Sequence, residues 1–381
     1  MHRKICSFIA VMSFVILSAA CAWGGVSLSA FPDPVFREYL KLHDGGWTEY
    51  DSEGREYTVG ENDGILGDKE IEWITFLSFG SDSELTSLEG IRHLTSLKTL
   101  YCHANKLTEL DVSGCTALTY LNCYGTNQLR RINTSGCTAL TYLCGPTSQL
   151  EEVNVSNCTA LTTVYCFNNQ ITQLDVSGCT ALEILQCANN QLTELDISDC
   201  TALTHLDCQE NQLRELNVSG YSALELLNCY NNKSEMSLIN ASGCTALTYL
   251  NCSNSQLKKI NVSDCNALTR LDCFDNQLEK LDVSGCAALK ILQCTNNQLT
   301  ELDVNECTAL TELWCYNNQL TELSLGDCTS LEILNCAHNY LTELDLSRNT
   351  SLNFSYSNSG YSWLWQKVRD SEGKENFTRL L

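Results

Sequence analysis

Apolar residues recur along most of the chain with a period of 21 residues. The stretch 182–202 shows the pattern clearly; it reads LEILQCANNQLTELDISDCTA, and Leu203 starts it again. With Leu182 as position 1, apolar residues occupy positions 1, 4, 6, 11, 14, 16 and 19, and position 9 is Asn190. A helix cannot place all of these positions on one face. A coil that turns once per repeat can direct them all to its axis, so we predict a solenoid of stacked strand–turn–return repeats.

Twelve repeats begin at leucines that stand about one period apart. They are Leu97, Leu118, Leu140, Leu161, Leu182, Leu203, Leu224, Leu247, Leu268, Leu289, Leu310 and Leu331. The motif L-x-x-L-x-[L/C]-x-x-N-x-L at this period is the leucine-rich repeat signature. The predicted fold class is therefore an α/β-type solenoid, a leucine-rich repeat horseshoe or curved rod. It has a parallel concave sheet, a mostly irregular convex side and a small helical N-terminal cap.

The domain organisation follows from where the repeats begin and end. We expect a signal peptide at 1–22, a partly helical cap at 23–80, the repeat array at 81–352 and a C-terminal cap or tail at 353–381. A partial repeat precedes the array near 74–94, and a degraded one starts at Leu352. In the cap, Pro32-Asp33-Pro34 is expected to start a helix, and a second helix is predicted over 68–76.

The chain has 24 cysteines, and nearly all of them keep one of two repeat positions. Position 6 holds Cys102, Cys123, Cys166, Cys187, Cys208, Cys229, Cys252, Cys273, Cys294, Cys315 and Cys336. Position 19 holds Cys115, Cys137, Cys158, Cys179, Cys200, Cys244, Cys265, Cys286, Cys307 and Cys328. Neighbouring strands lie about 4.8 Å apart, which exceeds the roughly 3.8 Å between the Cβ atoms of a disulfide. We therefore predict two ladders of free, buried thiols; some disulfides or metal clusters are the alternatives, although no close C-x-x-C pair supports a metal.

Asparagine recurs at position 9, where we predict an inward amide ladder that satisfies the backbone at the turn. In the second repeat, we expect Asn127 to fill this place after a one-residue insertion. Ser148 and Ser255 replace the amide in two repeats, so the ladder should be weakest there. At position 19, Tyr221 and Asn349 replace cysteine; we expect the coil to bulge after the bulky Tyr221 and the dry interior to end at Asn349.

The third repeat departs from the register. Its sequence LTYLCGPTSQL places Cys144 at position 5 and Gly145 at the core position. We therefore predict that Cys144 points out of the sheet as the one accessible thiol of the array. Pro146 cannot donate a ladder hydrogen bond and should perturb the sheet.

Residues 1–22 have the features of an export signal, with Arg3 and Lys4 before a short apolar run. Cleavage after Ala22 would give a soluble mature protein, which we favour; lipidation of Cys21 is the alternative. In the cap, the segment around Asp63 and Glu70 resembles the second half of an EF-hand loop. Because the first loop position falls on Val59, which has no side-chain oxygen, a plain turn is the favoured interpretation over calcium binding.

The stretch LTSLEGIRHLTSL at 85–97, followed by repeats of the form LTxLxCxxNQLTELDVSGCTA, resembles bacterial internalin-type leucine-rich repeat proteins. The similarity is to their cysteine-ladder (internalin J-like) branch and covers about 33–350. It implies an exported bacterial surface protein that binds other proteins or host surfaces. Since no LPxTG-like sorting signal precedes Leu381, we expect neither covalent wall anchoring nor a Gram-positive origin.

The net charge of −23 disfavours nucleic acid and anionic membranes as partners, because both are bound through clustered Lys and Arg. No transmembrane segment is predicted. None of the six histidines has a nucleophile and an acid in its sequence context, and no G-x-S-x-G, P-loop or H-E-x-x-H motif occurs. We therefore predict a non-catalytic protein without a cofactor.

Positions 3, 5 and 7 are expected to face outward on the concave sheet. They carry aromatic side chains of the kind that interface hot spots favour. The candidate ligand-binding residues are Tyr101, His103, Tyr120, Tyr124, Tyr142, Tyr165, Phe167, Tyr230, Arg270, Phe274, Trp314 and Tyr316.

Two interpretations of these aromatics stay open: a binding surface for a protein ligand, or cross-strand pairs that stabilise the sheet. Alternative functions are a glycan-binding module and a self-assembling envelope component that uses its ends or tail, for instance Trp363.

Overall fold

A computed structural model describes residues 25–42, 47–50, 56–59, 63–80, 83–103, 105–232, 236–352, 364–369 and 375–380. The chain divides into two compact units. The first unit comprises Met1–Tyr165 and Gln173–Cys179, and the second comprises Cys166–Thr172 and Thr180–Leu381. The expected signal peptide, Cys21 and Trp363 lie outside the described residues.

The first unit begins with the cap. Its elements are a strand at Gly25–Ser27, a 3-10 turn at Leu28–Ala30, helix α1 at Pro34–Lys41, strands at Trp47–Tyr50, Glu56–Val59 and Ile65–Gly67, and helix α2 at Asp68–Trp73. Helix α1 starts where predicted, because the Asp33 side chain accepts hydrogen bonds from the N–H groups of its first turn. The predicted extension of α2 to Phe76 is wrong: Phe76–Ser78 is a strand paired in parallel with Thr99–Tyr101.

The repeats of the first unit form two parallel ladders. A 3-10 turn at Ile91–His93 lies between the first two strands of one of them, Phe76–Ser78 and Thr99–Tyr101. We call the first the principal ladder; its strands are Phe76–Ser78, Thr99–Tyr101, Tyr120–Asn122, Tyr142–Cys144 and Thr163–Tyr165. The second, the return ladder, consists of Glu109–Asp111, Arg131–Asn133, Glu152–Asn154 and Gln173–Asp175.

The second unit repeats the same arrangement. Its principal strands are Ile184–Gln186, His205–Asp207, Leu226–Asn228, Tyr249–Asn251, Arg270–Asp272, Ile291–Gln293, Glu312–Trp314 and Ile333–Asn335. Its return strands pair in two separate groups. The first group consists of Glu215–Asn217, Leu238–Asn240 and Lys259–Asn261, and the second consists of Glu301–Asp303 and Glu322–Ser324. Leu344–Asp345 pairs with Leu364–Arg369, which forms a hairpin with Glu375–Leu380. Each unit is thus a leucine-rich repeat solenoid built on parallel strands, as predicted.

The predicted thiol ladders are present: every cysteine at positions 6 and 19 is a buried free thiol. Most of the position-19 thiols share one contact, a hydrogen bond donated to the carbonyl of position 16 in the preceding turn. Cys158 Sγ lies 3.1 Å from Thr134 O, and Cys265 Sγ lies 3.1 Å from Ala241 O. Burial raises the pKa of the Cys265 thiol to about 12, so the S–H donor persists at neutral pH.

The position-16 carbonyl of the preceding turn also accepts a hydrogen bond in the two repeats where another residue replaces cysteine. The Tyr221 hydroxyl donates to Ile197 O at 2.5 Å, and Asn349 Nδ2 donates to Leu325 O at 3.2 Å. The bulky Tyr221 is therefore buried in the site that cysteine occupies in most other repeats. Residues 233–235 of the predicted bulge lie outside the described residues.

The amide ladder at position 9 is also present. Asn276 Nδ2 donates to the carbonyls of Cys252 and Cys273, both at 3.0 Å, and its Oδ1 accepts from Leu257 N at 2.9 Å. One carboxamide therefore joins two successive turns. In the second repeat the prediction of Asn127 is wrong: Asn127 is exposed, and the buried Thr126 hydroxyl donates to Cys102 O and Cys123 O.

Candidate ligand-binding surface

The principal ladder has an outward surface, which we call the strand face. In most of its strands the central residue is buried and the two flanking residues are partly exposed, because successive side chains of a strand point to opposite sides. All twelve predicted ligand-binding residues are half-buried or exposed. They belong to both units: Phe167 and the five that follow it in sequence lie in the second unit.

In the first unit, five rings form a continuous row across the five principal strands. Phe76 and Tyr101 have centroids 5.8 Å apart, and Tyr101 and Tyr120 lie 5.3 Å apart. Tyr120 and Tyr142 stack at 4.7 Å with an interplanar angle of 5°. Tyr165 closes the row with an edge-to-face contact to Tyr142 at 5.8 Å. We call these five residues the aromatic row.

The aromatic row lies in an uncharged setting. The other outward positions of the five strands hold Ser78, Thr99, Asn122, Cys144 and Thr163. His103 adds an edge contact to Tyr101 at 6.4 Å, and Tyr124 is 54% exposed beside the row. In a chain of net charge −23, a strand face without a carboxylate or an ammonium group is a local exception. Its surface offers aromatic edges, hydroxyls and one amide.

Burial raises the pKa of both Tyr120 and Tyr142 above the ordinary tyrosine value. The neighbouring Cys144 thiol raises the pKa of Tyr142 further, because two anions so close together would repel each other. Both phenols therefore remain neutral hydrogen-bond donors over the physiological range.

Cys144 lies on the strand face, in register with Asn122 and Tyr165. It is half-buried, whereas the ladder cysteines are fully buried. The adjacent Gly145 is buried; a Cβ built on it would lie 3.3 Å from Cys123 Sγ and 3.2 Å from Ile132 Cδ1. Gly145 therefore occupies the core position, as the sequence register requires. The reactivity of Cys144 remains a prediction.

The strand face of the second unit is more polar. Arg270 Nε donates to Asp272 Oδ2 at 2.8 Å, and the Tyr249 hydroxyl donates to the same oxygen at 3.2 Å. The guanidinium also lies over the Tyr249 ring, 5.8 Å from its centroid. This cluster holds Arg270 in one orientation beside a buried carboxylate.

The other candidates of the second unit are spread along the ladder. The Tyr230 hydroxyl donates to Glu210 at 3.0 Å, and Trp314 Nε1 donates to Glu312 at 3.2 Å. Phe167, Phe274 and Tyr316 are half-buried, and each lies two residues after the end of a principal strand. The structure therefore assembles a dense aromatic surface in the first unit and separate polar–aromatic pairs in the second.

The carboxylates of the EF-hand-like segment bond to the backbone. Glu70 is 2% exposed, and its Oε2 accepts from Gly67 N at 2.6 Å at the start of α2. Asp63 Oδ1 accepts from Ile65 N at 2.9 Å. Within the described ranges, no three His, Cys, Asp or Glu side chains are grouped so that they could hold a metal ion. These contacts are those of a turn that enters a helix.

Comparison with known proteins gives the same fold. The family described as Leucine Rich repeats (2 copies) matches residues 95–145, 159–200 and 308–356. The functional domain of InlJ from Listeria monocytogenes, whose description includes a cysteine ladder, is 31% identical with a TM-score of 0.54. The match covers 92% of this chain and 78% of that domain. The chain belongs to the internalin-type leucine-rich repeat family.

Two further solved structures resemble this internalin-type protein. The leucine-rich repeat domain of APL1B is 21% identical with a TM-score of 0.51, over 73% of this chain and 81% of that one. The internalin inlF of Listeria monocytogenes is 20% identical with a TM-score of 0.48, over 88% and 98% of the two chains. No curated protein gave a match. Among the described helices, none is both long and apolar enough to cross a bilayer.

One member of the aromatic row of this internalin-type protein is not among the residues predicted from sequence. Phe76 is 52% exposed at the first principal strand, whereas the sequence pattern predicts it at the end of α2. The signal was the alternation in Phe76-Leu77-Ser78-Phe79, in which Leu77 and Phe79 are both buried. An alternation of exposed and buried residues is typical of a strand, and this one falls within the partial repeat near 74–94.

Proposed function

We propose that this protein is an exported, non-catalytic interaction module that binds a protein ligand on its strand face, which we expect to be the concave one. Solenoids of this kind present long, rigid surfaces to their partners. The observation that carries the proposal is the aromatic row, an uncharged run of five rings across five strands. Rigid aromatic side chains of this type supply contact area at low entropic cost.

The ring geometry favours a protein ligand over a glycan. Glycans commonly pack against a free ring face, but Tyr120 and Tyr142 stack on each other and Tyr165 abuts Tyr142. The row therefore presents mainly ring edges and hydroxyl groups. Such groups pair well with main-chain carbonyls and apolar side chains of a protein surface.

Photo-crosslinking tests this placement. Tyr124 on the strand face and Tyr340 away from it are both exposed, at 54% and 68%. Each is replaced by a photoreactive phenylalanine derivative, and the protein is irradiated with extracts of bacterial envelope or host-cell surface. We expect a discrete crosslinked protein from the Tyr124 variant and none from the Tyr340 variant, with loss of the product on Tyr101→Ala.

The glycan alternative is tested separately on a glycan array. Glycan binding that is lost on Tyr165→Ala, in the absence of any crosslinked protein, would support the alternative and reject the proposal. Equal crosslinking from both tyrosine positions would show that the strand face is not the binding surface.

The proposed export rests on residues 1–22. Expression in a bacterial host followed by intact mass analysis should give a mature chain that starts at Trp23. A mass that includes diacylglycerol on Cys21 would instead identify a lipoprotein, and an uncleaved chain in the cytoplasm would contradict export.

A further inference from the structure

The return side of the second unit contains a groove between two neighbouring turns. The segments 193–198 and 214–219 lie on either side of it, and its volume is about 950 Å³. Among the described strands, Glu215–Asn217 pairs only with Leu238–Asn240, on the side away from the groove. The other edge of Glu215–Asn217 therefore faces the groove.

Backbone hydrogen bonds that join several other pairs of successive turns do not cross this groove. Val304 N donates to Ser324 O at 3.1 Å, and in the first unit Val112 N donates to Asn133 O at 2.9 Å. Ile197 N occupies the equivalent position but has no such bond to Asn217 O in the described part of the chain. The two walls thus carry main-chain donors and acceptors that face each other without pairing.

Tyr221 makes this groove wide. At this repeat position a cysteine thiol ordinarily reaches the carbonyl of the preceding turn, as Cys244 Sγ does to Val218 O at 3.0 Å. Tyr221 makes the corresponding contact to Ile197 O through a phenol ring, which is far longer than a thiol. A smaller groove of about 400 Å³ lies between segments 280–284 and 301–303, whose turns carry cysteine at this position. Because the interior is close-packed, the larger Tyr221 side chain holds its two return segments further apart.

The groove has an apolar floor. Leu195 is half-buried and lines it, whereas Leu216, at the same repeat position of the next turn, is only 2% exposed. A half-buried leucine between two unpaired main-chain edges has the features of a site for strand addition. In that mode, main-chain hydrogen bonds give affinity and side-chain contacts give selectivity.

We propose that this groove binds an extended peptide of another protein, which adds as a strand against the open edge of Glu215–Asn217. Glu194, Asp196 and Glu215 line the walls together with a single cation, Arg214. This excess of carboxylates selects a peptide with Lys or Arg at alternate positions. The site is separate from the aromatic row and does not depend on the function proposed for it.

Selection from a phage-displayed library of random heptapeptides tests the proposal. The full chain is the bait, and the Tyr221→Cys variant is the counter-bait, since cysteine is the residue of most other turns and should narrow the groove. We expect peptides that contain Lys or Arg and bind the wild-type chain at least about tenfold more tightly than the variant, the equivalent of one or two main-chain hydrogen bonds. Tyr221→Phe, which keeps the ring, should retain binding.

Two measurements identify the binding mode. N-methylation of alternate amides of a selected peptide should weaken binding at least about tenfold, because it removes strand hydrogen bonds but not charge. Hydrogen exchange of the wild-type chain should show new protection at residues 215–217 when a selected peptide binds. The exchange pattern of the unliganded Tyr221→Cys chain verifies that this variant folds. Peptides that bind wild type and Tyr221→Cys equally, or that tolerate N-methylation, would overturn the proposal, as would a selection that enriches no peptide.

Discussion

Asp33 Oδ2 accepts two hydrogen bonds from Thr86, one from the backbone N–H at 2.9 Å and one from the hydroxyl at 2.7 Å. The other oxygen, Oδ1, accepts from the N–H groups of Val35 and Phe36 at the first turn of α1. One buried carboxylate therefore begins the cap helix and joins it to the start of the repeats, 53 residues further along the chain.

Replacing Asp33 by alanine should lower the free energy of unfolding by about 2–4 kcal/mol, because it removes a helix N-cap and leaves several buried N–H groups unsatisfied. Chemical denaturation of the wild type and the variant measures this difference. Thr86→Val should reproduce part of the loss, since it removes only the hydroxyl donor. A variant as stable as the wild type would show that the cap is not held by this residue.

The same residue gives a pH dependence. Burial alone would raise the pKa of Asp33, but hydrogen bonds from Thr86, Phe36 and Ser87 together lower it. Since the folded-state pKa lies below the unfolded value of about 4, the stabilisation is complete above that pH and is lost as pH falls through the folded value. The stability difference between wild type and Asp33→Asn should therefore shrink between about pH 5 and about pH 2. A constant difference over this range would contradict the lowered pKa.

The amide ladder provides a matched pair of variants. Asn276→Ala should cost about 2–4 kcal/mol, because it leaves the carbonyls of Cys252 and Cys273 and the N–H of Leu257 without partners in a buried site. Asn127→Ala, at an exposed asparagine, should change the free energy of unfolding by less than about 0.5 kcal/mol. Equal effects of the two substitutions would show that the carboxamide contacts are unimportant.

The repeat interior could be predicted from sequence because a fixed period assigns each residue a direction. Cys158 and Asn276 occupy periodic positions, and their buried places follow from that alone. Where the period changes, the prediction depends on where the extra residue is placed. For this reason the sequence pointed to Asn127, whereas backbone geometry places Thr126 in the ladder. The gap beside Tyr221 depends on side-chain packing between turns, which a repeat pattern does not specify.

Cys144 should be the first cysteine of the array to react in the native protein. It is half-buried on the strand face, whereas the ladder thiols are enclosed. Burial raises its pKa, so alkylation by iodoacetamide should be slow at neutral pH and keep accelerating above the usual thiol pKa of about 8.5. Peptide mapping by mass spectrometry after timed labelling measures the site, with urea-unfolded protein as the control. Labelling of Cys123 or Cys166 as fast as Cys144 would show that the register of this repeat is wrong.

The contact between Tyr120 and Tyr142 can be separated from ligand binding by a double-mutant cycle. Leucine at both positions removes the stacked pair, and the coupling energy should be about 0.5–1.5 kcal/mol, the usual value for aromatic pairs. The cycle of Tyr124 with Tyr142 is the control; because no ring contact joins them among the described residues, their coupling should be below about 0.5 kcal/mol. Ligand capture by the same variants then distinguishes the two roles of the row. If Tyr120→Leu lowers stability but leaves capture of a crosslinked partner unchanged, these rings only stabilise the sheet. If a variant that is still folded loses capture, the rings belong to the binding surface.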